Sequence, residues 1–229
     1  MPYILLGAPA YQKYAEELKN CGFTPISLPS DERLNKIVNT HADTLIFTDG
    51  KAYIANREYI KNLPEEITHH FIETDDFPYG EYPTDTSFNA LVIGDKLFAR
   101  EKSISASVTD HAKKSGYTFI SVRQGYARCS TLALDNAAIT ADIGIGTSIA
   151  AQGIKVFIIS SGHIALEYCK YGFIGGASFV DKARKTVYFF GDISLHPDGR
   201  EIIGFIKKNG YGVVCLNGTL TDYGGAVIV

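Results

Sequence analysis

The sequence predicts an α/β fold: five ββαβ units in a ring around a central site, closed by pairing of the N- and C-terminal strands. Three observations carry this. A hairpin, helix, strand unit recurs about every 45 residues, within the range expected of a repeated supersecondary unit. Asp49-Gly50 and Gly94-Asp95 split β-rich runs in the manner of tight hairpins. The last apolar run, residues 226–229, has no partner following it, and only a closed ring supplies one, in the first strand. An open α/β sandwich is the alternative, and it leaves that strand unpaired.

Residues 3–6 form a short apolar strand ended by Gly7. Residues 9–21 follow as a helix, with Tyr11, Tyr14, Ala15 and Leu18 at helical spacing and Gly22 as C-cap. Residues 24–28 are a strand closed by Pro29. Residues 30–33 supply cap candidates for a short helix with Leu34, Ile37 and Val38 on one face. Residues 43–48 and 51–55 make the first hairpin. Residues 56–63 are weakly helical, Pro64 stops them, and residues 67–73 read as a strand with His69-His70 at its centre. A loop over 75–85 carries Pro78, Gly80 and Pro83.

The cycle then repeats. Residues 87–93 and 96–100 are a hairpin, 103–115 a helix ending at Gly116, and 117–122 a strand. Residues 131–134 and 137–140 pair around Asp135-Asn136, before a small-residue helix over 142–152 and a strand over 154–160. Residues 161–171 are a connector with room for a helical turn. Residues 173–180 and 186–190 form the next hairpin, 198–209 a helix with Ile202, Phe205 and Ile206 inward, and 211–216 a strand. The fifth unit is split between 226–229 and the first three elements. One domain spanning 1–229 is expected.

Composition narrows the function. The chain has 229 residues, 45% hydrophobic, and a net charge of −3, a soluble globular profile. No basic stripe suggests a nucleic-acid partner, and no apolar run suggests a membrane. The N-terminus has no positive n-region and too short an apolar run for a signal peptide. Cys21, Cys129, Cys169 and Cys215 are scattered, without CxxC or zinc-ligand spacing, which reads as reduced thiols in a cytoplasm. No cofactor is expected: Gly175-Gly176 and Gly224-Gly225 form neither GxGxxG nor a P-loop and read as backbone devices.

In a closed ring the first strand of each unit lies nearest the axis, so the residues leading into those strands converge. The five lead-ins are 40–44, 84–89, 127–130, 174–178 and 222–226. They bring together His41, Asp43, Asp85, Asn89, Arg128, Cys129 and Asp222: a thiol, an imidazole and carboxylates around one pocket, the parts of thiol-based catalysis on a cationic substrate. Each has a structural reading too. Cysteine is commonly buried, His41 stands where it could cap a helix, and Asp is a favoured turn residue. His196-Pro197-Asp198-Gly199 reads as a turn and helix start.

This pattern resembles the guanidine-modifying enzyme superfamily of pentein fold, an α/β propeller, which includes arginine deiminases, dimethylarginine dimethylaminohydrolases and amidinotransferases. His41-Ala42-Asp43-Thr44 resembles its His-x-Asp motif, Gly125–Leu134 its Cys strand, and Asp222-Tyr223-Gly224-Gly225-Ala226-Val227 its acidic Gly-Gly strand. The Cys strand lies two units beyond the His strand, as in the family, and Asp222 lies one unit before it around the ring. The chain also resembles a bacterial domain family placed in this fold. The resemblance implies a hydrolase or amidinotransferase acting on a guanidino, arginine-like compound through a thiouronium on Cys129. His41 is the implied acid/base. Asp43, Asp222, Asp85, Asn89 and Arg128 are the implied substrate-binding residues, and Arg128 with a protonated His41 would also favour the thiolate. Three departures stand out. The Cys strand is central rather than C-terminal, which implies a circular permutant. Tyr223 and Ala226 interrupt the acidic motif, and residues 174–178 carry no acid. Ribosome anti-association factors share the fold without the chemistry, so a ring that binds a small molecule or a macromolecule without catalysis is the alternative.

Overall fold

The computed structural model describes residues 1–229. Five three-stranded sheets form, each with the same order: an antiparallel pair, then a parallel neighbour reached through a helix or helical connection. The first unit joins β3 (Ile46–Thr48), β4 (Tyr53–Asn56) and β5 (Phe71–Thr74). The second joins β6 (Leu91–Ile93), β7 (Lys96–Ala99) and β8 (Thr118–Ser121). The third joins β9 (Thr131–Ala133), β10 (Ala137–Thr140) and β11 (Lys155–Ile158). The fourth joins β12 (Ser178–Asp181), β13 (Thr186–Phe189) and β14 (Gly212–Cys215).

The fifth unit closes the ring as the orphan strand requires. β15 (Ala226–Ile228) pairs antiparallel with β1 (Tyr3–Gly7), placing Leu5 opposite Val227, and β1 pairs parallel with β2 (Thr24–Leu28). The termini are tied down by the paired Tyr3 and Val229 backbones. No helix is long and apolar enough to cross a membrane.

The middle strands explain how the units hold together. Successive side chains of a strand point to opposite faces, and both faces here are covered. In β1, Leu5 packs with the first unit while Ile4 and Leu6 pack with the fourth. In β7, Leu97 turns toward the first unit and Phe98 toward the third. In β13, Val187 and Phe189 turn one way and Tyr188 the other, followed on that side by Phe190 just past the strand. The apolar interior is therefore five clusters, each at a junction between neighbouring units. That is why the middle strands read as continuous apolar runs rather than alternating ones.

The long helices match the periodicity: α1 (Ala8–Asn20), α2 (Ala106–Lys114), α3 (Ile143–Ala150) and α4 (Gly199–Lys208). Ser105 and Asp142 cap α2 and α3 with their side chains. The helix expected over 30–38 does not form. Asp31 instead accepts from the Arg33 N–H and guanidinium, and Asn35 Oδ1 accepts from the Ile37 N–H. These local bonds compete with a helical ladder.

The strand expected over 67–73 is a helical turn followed by a shorter strand. Pro64, Glu65 and Glu66 start a turn (Glu65–Thr68), and β5 begins at Phe71. His69 and His70 stack in the intervening turn, ring centroids 4.0 Å apart, not at a strand centre. The connector 161–171 holds turns, bends and one isolated bridge, from Ala165 to Thr221, and no helical turn. Three first strands start later than expected, at Ile46, Leu91 and Ser178. Their lead-ins bend around the axis instead; Ala42–Leu45, for instance, is one helical turn.

Candidate active site

The five lead-ins are hydrogen-bonded to one another in a closed circuit. The Asp43 N–H donates to Gly224 O at 3.0 Å, the Gly225 N–H to Gly176 O at 2.8 Å, and the Gly176 N–H to Cys129 O at 2.9 Å. The Cys129 N–H donates to Asn89 Oδ1 at 3.1 Å, and Asn89 Nδ2 donates to Asp43 O at 3.1 Å. Asn89 is the one side chain in the circuit. It is fully buried, and its Oδ1 also accepts from the Arg128 N–H at 2.9 Å. Its polar atoms are thus occupied by the backbone of two neighbouring lead-ins.

Arg128 is occupied likewise. Its guanidinium donates to Ile46 O at 3.0 Å and Ala226 O at 3.1 Å, tying β3 to β15. It lines a cavity at one mouth of the ring together with Asp43. A second cavity, of about 390 Å³, holds His41, Asp85, Cys129 and Asp222. The structure therefore gathers four of the seven residues the sequence singled out into one cavity. Asp43 and Arg128 line the other cavity, Asp43 still within reach of the Cys129 thiol, and Asn89 is a structural link.

Cys129 lies at the floor. Its thiol donates to Asp222, 3.5 Å from Oδ2 and 3.9 Å from Oδ1. Burial pushes the thiol well above its ordinary pKa, and the nearby carboxylates of Asp222 and Asp43 push in the same direction. The resting sulfur is a thiol; the cationic help expected of Arg128 is outweighed by desolvation and two acids.

Asp222 is held by the backbone: Oδ1 accepts from the Gly224 N–H at 2.9 Å and Oδ2 from the Phe173 N–H at 2.8 Å. Two glycines make room for this. A Cβ on Gly176 would overlap the Asp222 carboxylate, and one on Gly224 would overlap the His41 side chain. Gly224 also has φ +75°, a left-handed conformation that suits glycine. The paired glycines are thus close-approach devices. His41 precedes the Ala42–Leu45 turn, but its side chain makes no capping bond.

Asp85 accepts a short hydrogen bond on Oδ2 from the Tyr126 hydroxyl, while its buried Oδ1 has no partner. Burial raises the Asp85 pKa, opposed by the Tyr126 bond. Asp43 Oδ2 is likewise buried and unpartnered, and burial raises the Asp43 pKa to about 6 despite the nearby His41. Buried polar atoms are almost always paired, so two orphaned carboxylate oxygens at one axis mark a place built for donors.

Tyr126, Tyr82, Tyr171 and Phe173 escaped the sequence reading. Tyr126 sits inside the cysteine loop, three residues before Cys129, and its proximity was the available signal. Tyr82, Tyr171 and Phe173 belong to connectors between units, where no repeat marks them.

The family described as "Family of unknown function (DUF6873)" matches residues 6–227. No curated protein matches the chain. Among solved structures, a dimethylarginine dimethylaminohydrolase adduct with 4-chloro-2-hydroxymethylpyridine superposes with a TM-score of 0.57 at 12% identity, covering 99% of each chain. Another dimethylarginine dimethylaminohydrolase adduct, with S-methyl-L-thiocitrulline, gives 0.58 at 14% identity, again covering 99% of each. An arginine dihydrolase from the ornithine-ammonia cycle in Cyanobacteria gives 0.56 at 14% identity over 94% of this chain and 36% of its own. These similarities show the fold, which is the pentein propeller.

Proposed function

For this chain, which belongs to the family of unknown function DUF6873, we propose a cysteine-dependent hydrolysis or amidino transfer acting on a guanidino compound. The observation that carries it is the unpartnered buried carboxylate oxygen Asp85 Oδ1, in the cavity that also holds Cys129, His41 and Asp222. A guanidinium is planar, cationic and rich in N–H donors, so it satisfies such oxygens where a neutral ligand does not. The fold is shared with proteins named for dimethylarginine and arginine chemistry, which supports the same class of substrate.

The steps follow from the site. Burial first, and then the neighbouring Asp222 and Asp43, hold the Cys129 proton in place, and a bound guanidinium offsets the contribution of the two acids. Sγ attacks the guanidinium carbon, forming a C–S bond, while His41 accepts the thiol proton. The C–N bond then breaks, and His41 hands that proton to the departing nitrogen. Water attacks the thiouronium carbon and gives a proton to His41. The C–S bond breaks, and the proton returns to sulfur. An amine in place of water makes the reaction a transfer. Asp85 and Asp222 hold the guanidinium flat. Asp43 acts on the Cys129 thiol beside it, and Asn89 and Arg128 hold the backbone that carries Cys129.

The test is turnover on a panel of guanidino compounds, reading ammonia, amine and urea-type products, for the wild type and Cys129→Ala. Product formation that vanishes in the variant supports the proposal; no turnover across the panel opposes it. The protonated thiol, bonded to Asp222, favours a second reading in which the ring binds its ligand without chemistry. Guanidino binding that persists unchanged in Cys129→Ala, with no product from either protein, identifies that case.

A further inference from the structure

Resting on the guanidino reading above, we propose that the cavity takes a guanidino compound whose far end is a second cation, an ω-guanidinoalkylamine, and turns away guanidino compounds that carry a carboxylate. The cavity wall contains three acids, Glu81, Asp85 and Asp222, and neither a lysine nor an arginine. Asp222 and Asp85 lie with Cys129 and Tyr126, where the guanidinium belongs. That leaves Glu81, exposed and free of any ion pair, to meet the other end of the ligand. Asp85 Oδ1, buried and without a partner, shows that the acidic wall awaits donors rather than forming a solvated surface.

The remainder of the wall is aromatic. Tyr126 at the floor lies 5.6 Å from Tyr82 and 6.4 Å from Phe173, and Phe173 lies 6.5 Å from Tyr171, centroid to centroid. The four rings run without a break from the floor to the rim, where Tyr82 is 48% and Tyr171 37% exposed. Such a wall covers a methylene chain, and its ring faces attract a cation. A ligand carboxylate finds the opposite: no lysine or arginine on the wall, and Glu81 as a like charge at the rim. Lys36 and Lys170 are next in sequence to wall residues, but neither lines the cavity. A volume of about 390 Å³ suits one extended small ligand.

The experiment uses calorimetry on Cys129→Ser, which binds without turning over, and on the same protein carrying Glu81→Gln. The probes are 4-guanidinobutylamine, butylguanidine, L-arginine and 4-guanidinobutyrate. The expected order is the amine first, butylguanidine next, and the two carboxylates last by about tenfold or more each way. Glu81→Gln should erase most of the amine's advantage and leave butylguanidine unchanged. Arginine or guanidinobutyrate binding as tightly as the amine overturns the inference, as does an amine advantage that survives Glu81→Gln. In both cases guanidine binding itself stands. If no guanidine binds and no cationic alkylator modifies wild-type Cys129, the guanidino reading fails as well.

Discussion

Asp43→Asn should make this protein more stable and less competent. Asp43 is 1% exposed; its Oδ2 has no partner, its Oδ1 accepts from the Thr44 hydroxyl at 3.3 Å, and the Cys129 thiol lies beside it. Burial, the leading cause, raises its pKa from 3.8 to about 6. Between those values the folded protein holds a proton that the unfolded chain has released. Stability therefore falls as pH rises through that window and stays lowered above it. A gap of about two pKa units corresponds to about 3 kcal/mol at neutral pH and above. Asparagine keeps the shape and removes the charge. At pH 8 the variant should gain about 1–3 kcal/mol, with Tm up by roughly 2–4 °C per kcal/mol for a chain of this size. At pH 4, where Asp43 is largely protonated in the fold, the gain should shrink to under about 1 kcal/mol. Urea unfolding of both proteins at the two pH values measures this. A variant less stable than wild type at pH 8, or a gap that does not change with pH, refutes the reasoning that this acid is kept for a ligand at the expense of stability.

Three other expectations concern the axis. Asn89→Leu removes three buried hydrogen bonds from the circuit and leaves their backbone partners unpaired; a loss of about 3–5 kcal/mol is expected in denaturant unfolding, and a loss under about 1 kcal/mol would show that the circuit is incidental. Gly176→Ala drives a methyl into the Asp222 carboxylate, so turnover should fall by about a hundredfold while the far-ultraviolet spectrum is retained; an unchanged rate would remove Asp222 from the site. In the ligand-free protein, iodoacetamide should modify Cys129 slowly at pH 7 and faster up to and beyond pH 9, because burial and the two acids hold the thiol proton. A rate that is flat from pH 6 to 9, followed by peptide mapping, would contradict that environment.

The ring was legible from sequence because its signals are local. Asp-Gly hairpins and glycine helix ends mark each unit, and β15 pairs with β1 because it had no other partner. The loop 30–38 was not legible: Leu34, Ile37 and Val38 keep helical spacing, and only the Asp31–Arg33 bonds decide against the helix. The lead-ins show the same limit. Their convergence on the axis follows from topology. Which atoms remain free depends on neighbours from distant units. Asn89 and Arg128 carry the chemistry of binding groups, yet three backbone groups occupy one and two carbonyls the other. Asp43 and Asp222 come from different units and meet at the Cys129 thiol, which no one-dimensional pattern describes. The aromatic wall comes from connectors that the repeat does not govern.

The central claim is that Cys129 sits in a pocket built for a guanidinium-like cation. The direct measurement is the rate at which Cys129 of the wild-type protein is alkylated by 2-chloroacetamidine, compared with neutral 2-chloroacetamide, by intact mass and peptide mapping at pH 7.5. The amidinium is planar and cationic, and it carries its leaving group to the sulfur. The account predicts single-site modification of Cys129 by the cation, at least about tenfold faster than by the neutral reagent, and slowed by 4-guanidinobutylamine. Equal rates for the two reagents, or modification of the exposed Cys169 and Cys215 with Cys129 untouched, would contradict it.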